Sequence, residues 1–382
     1  MARSVLIFRI GHLGDTLVAL PALWAVREHF RDARITLLCN HHPGTPYVLA
    51  SDLLAGSGVV DDFMRYPVDP STRGKLLMPF RIARLVAALR RRKFDTLVYL
   101  PPTGRTPQQV ARDRKFFRLA GITDVIGMDT DLGVPPPPPP GVLLPFEADQ
   151  LLSHLAPQIP PPPPGTGRMD LAIKPSDEEP VRAWIARLPD DGARPWVGVG
   201  PGSKMPAKIW PRERFLAVLR DLVDRHDVWP VIFGGTEDRQ VGQWLVDQLG
   251  RGYVAAGQLG LRSSASALSR CKLYLGNDTG TMHMAAAVAV PCVAVFSARA
   301  WPGTWYPYGP GHRVFHVNIS CAGCDLIECV DRKMECLMQI GPAEVRDACI
   351  EILNKYVSQK NPSPLYSEKK RAKPATVRER AE

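Results

Sequence analysis

One carboxylate, two lysines and an Asp-Thr-Gly triplet are the residues of this chain whose types and spacing suit chemistry on an anionic substrate. In Leu273-Tyr-Leu-Gly-Asn-Asp278-Thr279-Gly280-Thr-Met-His283-Met-Ala-Ala-Ala287 an apolar run stops at polar and glycine residues where a helix begins. The first turn of a helix carries unpaired N–H groups and the positive end of its dipole, so a phosphate can be held there. On this segment alone, N-capping accounts for Asp278 and Thr279 equally well, and His283 reads equally as a cap or packing residue and as a ligand. Gly11-His-Leu-Gly14-Asp15 follows an apolar run in the same way. Asp15 there either caps a helix starting at Thr16 or serves as a general base toward a substrate hydroxyl, with Arg9 beside it to hold an anionic group. Gly200-Pro-Gly-Ser203-Lys204-Met-Pro-Ala-Lys208-Ile-Trp-Pro211 is a third such joint. Its Gly-Ser portion can present N–H groups to phosphate while Lys204 and Lys208 supply charge. In Gly234-Gly-Thr-Glu237, Glu237 can accept from ribose hydroxyls or stay solvated. Neither a G-x-G-x-x-G fingerprint nor a Walker A loop is present, which weakens nicotinamide, flavin and P-loop readings.

These loops need strands to deliver them and helices to receive them. Ser4–Phe8, a tight loop Gly11–Asp15, a helix Thr16–Phe30 and a strand Arg34–Cys39 form a βαβ unit. Further strands are expected at Thr96–Leu100 and Asp124–Gly127, giving an α/β domain over 1–175. A helix at Ser176–Leu188 approaches an interdomain linker, 176–195. A second parallel α/β domain, 196–341, starts at Trp196–Gly200 and continues through Val231–Gly235 to strands at Leu273 and Val290–Phe296. A final helix, 342–358, is expected to return to the first domain. The proline runs 135–140 and 160–164 exclude helix and central strand, and read as extended loop insertions. The basic, Pro- and Ser-containing tail 359–382 is expected to be disordered.

Composition narrows the function classes. At 382 residues the chain is long enough for two α/β domains, and its formal charge is +10. That charge is gathered at Arg81, Arg84 and Arg90–Lys93, at Arg112, Arg114, Lys115 and Arg118, and in the tail. No nucleic-acid module accompanies these clusters, so nucleic acid is not an expected partner. No apolar stretch approaches the ~20 residues that cross a bilayer, and the N-terminus runs straight into a strand; cytoplasmic residence is the expectation. Cys321-x2-Cys324-x4-Cys329-x6-Cys336 has a spacing that suits zinc or iron, but reduced, partly buried thiols are the favoured reading, and no metal or cofactor is expected.

Taken in order, the Arg9–Asp15, Ser203–Pro211, Gly234–Glu237, Asn277–His283 and Pro291 elements resemble glycosyltransferase family 9, the bacterial lipopolysaccharide heptosyltransferase family. The resemblance runs from about Ser4 to Val357. It implies a GT-B fold, two Rossmann-like doubly wound domains facing a central cleft, and inverting, metal-independent transfer of a heptose from ADP-heptose to an anionic lipid-linked glycan. It implies Asp15 as general base, Lys208 on the donor phosphate, and Gly14, Ser203, Lys204, Glu237, Asp278, Thr279, Gly280 and His283 around the donor. Arg9, Arg81 and Arg84 are expected at the acceptor, and a peripheral position on the cytoplasmic face of the inner membrane follows. Another sugar donor, another glycan or protein acceptor, and a non-catalytic nucleotide-sugar-binding protein are the alternatives.

Overall fold

The computed structural model describes residues 3–41, 49–68, 71–102, 104–128, 133, 136–139, 141–156, 158–188 and 194–358. The tail 359–382, read above as disordered, lies outside the described residues. Strands β1 (Ser4–Phe8), β2 (Arg34–His41), β3 (Asp62–Pro67), β4 (Thr96–Tyr99) and β5 (Asp124–Ile126) form a parallel sheet in the order β3-β2-β1-β4-β5. Strands β6 (Trp196–Gly200), β7 (Trp229–Ile232), β8 (Tyr253–Val254), β9 (Cys271–Asn277), β10 (Cys292–Val295) and β11 (Arg313–Phe315) form a second parallel sheet, β11-β10-β9-β6-β7-β8. Helices α1 (Leu13–Val18), α2 (Leu20–His29), α3 (Ala50–Leu54), α4 (Thr72–Arg92), α5 (Pro107–Leu119) and α6 (Glu147–Leu155) accompany the first sheet. Helices α7 (Pro175–Ile185), α8 (Arg212–His226), α9 (Arg239–Leu249), α10 (Leu261–Leu268), α11 (Gly280–Ala287), α12 (Glu335–Met338) and α13 (Pro342–Ser358) accompany the second. None of the described helices is long and apolar enough to cross a membrane.

Both central strands read as continuous apolar runs because both of their faces are covered. In β1, Leu6 and Phe8 pack with Tyr99 and Phe117 on one face, while Val5 and Ile7 pack with Leu17, Leu20 and Leu37 on the other. In a doubly wound sheet the crevice opens at the carboxyl ends of adjacent strands whose connections diverge. That point lies between β1 and β4 in the first sheet and between β6 and β9 in the second. The loops after β1, β6 and β9 are the ones picked out by their chemistry.

Three expectations about elements need correction. The first helix is broken in two: Ala19 ends α1 and starts α2, with Pro21 in the first turn of α2 and no N–H there to continue the ladder. Helix α1 also begins earlier than expected, so Asp15 stands inside its first turn instead of before it. Helix α7, expected at the approach to the linker, belongs to the second body: Trp184 packs edge-on against Trp196 and Tyr253, and the helix lies along α10. The last helix does not return to the first domain. Val345, Cys349, Ile352 and Leu353 of α13 pack with Val197, Leu219, Leu222, Leu273 and Val293, so the helix covers the second sheet beside α8. Residues 136–139 and 160–164 form no helix or strand.

Candidate active site

The Asp15 loop is built around its carboxylate. Asp15 Oδ2 accepts from the His12 N–H at 2.7 Å. A side chain at Gly11, whose φ is +138°, would meet the Asp15 side chain at 2.4 Å, so this turn can close only with glycine. Arg9 was expected at the acceptor, but its side chain is buried. Its guanidinium donates to the Asp15 carbonyl at 2.6 and 3.0 Å and to the Leu100 carbonyl at 3.3 Å, and lies 3.8 Å from Asp15 Oδ1. These carbonyls take up the donors of the buried cation. Arg9 therefore braces the carboxylate from behind, while the Asp15 side chain keeps 18% of its surface open.

On the second sheet, Lys208 Nζ lies 2.6 Å from Asp278 Oδ2, with both side chains largely buried. Lys208 ends a 3-10 turn, Pro206–Lys208, that is tied down on both sides. The Ala207 N–H donates to the Ile327 carbonyl at 3.0 Å, and the Trp210 N–H donates to Asn277 Oδ1 at 3.1 Å. Asn277 Nδ2 donates in turn to the Pro201 carbonyl at 2.8 Å, so this buried amide locks the end of β9 to the loop after β6. Ser203 Oγ accepts from the Met205 N–H at 3.2 Å, and Lys204 is exposed.

The start of α11 settles whether Thr279 is there to cap. Thr279 occupies the N-cap position but makes no side-chain cap hydrogen bond. Its hydroxyl instead lies 2.9 Å from Thr281 Oγ1, which lies 2.7 Å from the Tyr274 hydroxyl. Tyr274 is fully buried, and burial pushes its phenol up, so it keeps its proton. A Cβ at Gly200 or Gly276 would fall 1.8 or 2.5 Å from that phenol oxygen, so both glycines clear its place. No side chain caps the helix, so its first N–H groups are left without a side-chain partner.

The two halves meet at this point. A Cβ on Gly280 would come within 2.7 Å of Leu13, and one on Gly14 within 3.6 Å of His283, so α1 and α11 stand end to end across the cleft. His283 is 2% exposed, its Nδ1 is buried without a hydrogen-bond partner among the described residues, and Trp305 lies edge-on to its ring. Burial pushes its imidazole down to about 4, against the raising effect of Asp278 and Asp15. The ring is therefore neutral at pH 7.

Glu237 is exposed and folds back over Gly235. Its neighbour Asp238, which sequence reasoning missed, accepts from the Gly235 N–H at 2.9 Å and fills the space a Cβ on Gly202 would need. Burial pushes its carboxyl up. At the first sheet, Arg81 and Arg65 stand close enough to His41, at the end of β2, to add to the effect of burial in pushing that imidazole below its ordinary range. Arg84, one turn further along α4, is exposed. Asp113, also missed, is buried and accepts from the Tyr99 hydroxyl at 2.7 Å; Arg112 lies 3.0 Å and Arg105 3.6 Å from it. Among the described residues, no three His, Cys, Asp or Glu side chains are arranged to hold a metal. Cys321, Cys329 and Cys336 are half-buried and Cys324 is exposed, all four as free thiols.

Residues 164–335 match the sequence profile described as glycosyltransferase family 9 (heptosyltransferase). Over these residues, a little under half of its length, the chain is similar to that family. Lipopolysaccharide heptosyltransferase 2 of Escherichia coli K12 is 32% identical over 109 residues, 27% of this chain and 31% of that protein. Lipooligosaccharide heptosyltransferase 2 of Campylobacter jejuni is 23% identical over 163 residues, 41% of this chain and 50% of that protein. The aligned part thus spans between a third and a half of these relatives' length. The fold likeness is wider. The solved structure of E. coli ADP-heptose lps heptosyltransferase II superposes with a TM-score of 0.66 at 18% identity, covering 93% of this chain and 99% of that one. A glycosyltransferase family 9 structure from Veillonella parvula gives 0.67 at 18% identity, over 92% and 97%. The chain thus shares the fold of these structures, the GT-B architecture.

Proposed function

We propose that this chain is an inverting, metal-independent glycosyltransferase that moves a heptose from ADP-heptose to a lipopolysaccharide core acceptor. The observation that carries the reading is the meeting of the Asp15 loop with Lys208 and the uncapped start of α11 across one cleft, each at the switch point of its sheet. Such a pair supplies a base on one side and an anion site on the other. The heptosyltransferase names of the relatives favour heptose over other sugars, and the solved structure of E. coli heptosyltransferase WaaC with ADP favours adenine as the base.

Inversion requires one displacement. Asp15 takes the proton from the acceptor hydroxyl as its oxygen bonds to the anomeric carbon, and the bond from that carbon to the diphosphate oxygen breaks on the opposite face. Charge then grows on the departing ADP, where Lys208 and the N–H groups of Gly280 and Thr281 stabilise it without a divalent ion. Thr279, whose side chain is engaged by Thr281 instead of by the helix N–H groups, adds a hydroxyl on the same side, with Ser203 and Lys204 along the loop and Glu237 toward the ribose. His283, neutral and walled in beside Gly14, offers a ring nitrogen without adding charge. Arg81 and Arg84 face the anionic acceptor, and the apposed halves exclude the water that would hydrolyse the donor.

The test measures nucleoside diphosphate release with ADP-heptose against ADP-, UDP- and GDP-hexoses, using delipidated core oligosaccharide and EDTA. Selective ADP release with heptose attached to the oligosaccharide is expected. Asp15→Asn should lower kcat by about 10²–10⁴-fold while leaving ADP affinity unchanged. Binding of ADP-heptose without transfer would move the acceptor to another glycan or a protein, and unchanged turnover in Asp15→Asn would remove Asp15 as the base.

A further inference from the structure

The first half of α4 carries apolar side chains that packing leaves uncovered. Leu76 is 81% exposed, Phe80 70% and Leu77 38%, whereas Leu85, Val86 and Leu89 of the same helix are buried against the first sheet. Leu76 and Phe80 are four residues apart and share one face. Helix α4 contains Arg73, Lys75, Arg81, Arg84 and the run Arg90–Arg92, and no Asp or Glu. An exposed apolar stripe on a helix of one charge sign is the composition that lies in the boundary of an anionic bilayer, with its apolar side chains among the acyl chains and its cations among the headgroups.

The position of the helix gives this composition a purpose. Helix α4 leaves β3 at the carboxyl edge of the first sheet, the edge that also carries Asp15, and Arg81 stands near His41 there. The apolar overhang and the base thus share one rim of the first domain. A second copy of this chain is a poor occupant, since a two-fold contact on α4 would bring like charges together.

We propose that the first half of α4, with Leu76, Leu77 and Phe80 inserted and Arg81 and Arg84 at headgroup level, docks the protein on an anionic lipid surface. It rests on the lipid-linked acceptor proposed above: docking by this rim holds the acceptor's sugar end beside Asp15 while its lipid stays in the bilayer.

Sedimentation of the full chain with vesicles tests the docking. Vesicles containing phosphatidylglycerol should carry the protein down, pure phosphatidylcholine vesicles should not, and added salt should weaken binding. Leu76→Gln with Phe80→Gln should lower partition by about tenfold or more. Thermal unfolding would show that these exposed replacements leave the fold intact. Turnover of delipidated acceptor should be unchanged in this variant, while turnover of acceptor embedded in vesicles falls. Failure of the wild type to bind anionic vesicles overturns the docking, as does wild-type partition by the double variant. Loss of binding only when Lys369, Lys370 and Arg371 are changed to Gln would assign the contact to the tail, also overturning it. Absence of any donor turnover with vesicle binding intact would count against the proposed reaction and leave the dock standing.

Discussion

His283 and His312 are both neutral because they are buried, and this couples the site to pH. Burial pushes each imidazole down to about 4. His312 Nδ1 accepts from the Cys292 N–H at 3.0 Å, a bond that protonation would break. Between pH 6.5 and 4 the unfolded chain binds protons that the folded chain refuses, so stability is full above pH 6.5 and falls as pH drops. Each histidine should cost about 2 kcal/mol by pH 5, read as a loss in urea stability between pH 7.5 and pH 5. His312→Gln should flatten that slope, and a slope unchanged in the variant would show that His312 titrates normally. The residues legible in the sequence are those at strand ends, where Asp15, Lys208 and Asp278 stand out by type and spacing. Tyr274, Thr281 and Asp238 were not legible as site residues, because their places arise from pairings that the sequence does not show. A polar residue in an apolar strand, such as Tyr274 beside Gly276, is the local signal for one of them. Arg9 failed for the same reason: nothing in its neighbours says that Leu100, 91 positions away, takes its donors.

At the scale of elements, the long apolar runs gave strands where expected, β1 at Ser4–Phe8 and β6 at Trp196–Gly200 among them. The edge strands β3, β8 and β11 went unnoticed because β8 and β11 are short and β3 is only partly buried, so no strong pattern marks them. Helix α13 shows why packing partners are harder to read than elements. Its apolar face was visible, but a helix face does not name the surface it covers. Leu219 and Leu222 of α8 supply that surface. Ile352→Ala should cost about 2–4 kcal/mol. It should speed hydrogen exchange in β9 and β10 while sparing β1 and β2. Exchange that rises first in β1 would return the helix to the first domain.

Over the whole molecule, the two halves are not independent bodies. One apolar cluster runs from Val5 and Ile7 through α2 and α6 to Trp184, Trp196 and α11. Leu144 and Glu147 of the first half donate to the Pro302 and Thr304 carbonyls of the second, and the Tyr308 hydroxyl donates to Asp149 Oδ1 at 2.7 Å. At the hinge, Arg262 of α10 reaches the Leu53, Leu171 and Ala172 carbonyls and pairs with Asp177 at 2.7 Å, beside Ala172 at φ +47°. Burial works to raise the Asp177 carboxyl, but Arg262 and the Lys174 N–H hold it below the usual carboxylate range. Arg262→Met should cost about 3 kcal/mol by stranding Asp177. Adding Asp177→Leu should recover most of that stability without recovering turnover, because the carbonyls that set the angle between the halves stay unclamped. Full turnover in both variants would reduce Arg262 to a structural residue.

The ion pair between Lys208 and Asp278 also bears on which anions this site can admit. An amine already held at 2.6 Å by a carboxylate presents little net charge to the solvent. The nucleoside diphosphate proposed above would reach the loop and the helix start at once, and those contacts together can repay opening the pair. On the proposed function, the carboxylate holds the amine's place until the donor arrives, so that the site selects by valency of contact instead of by charge.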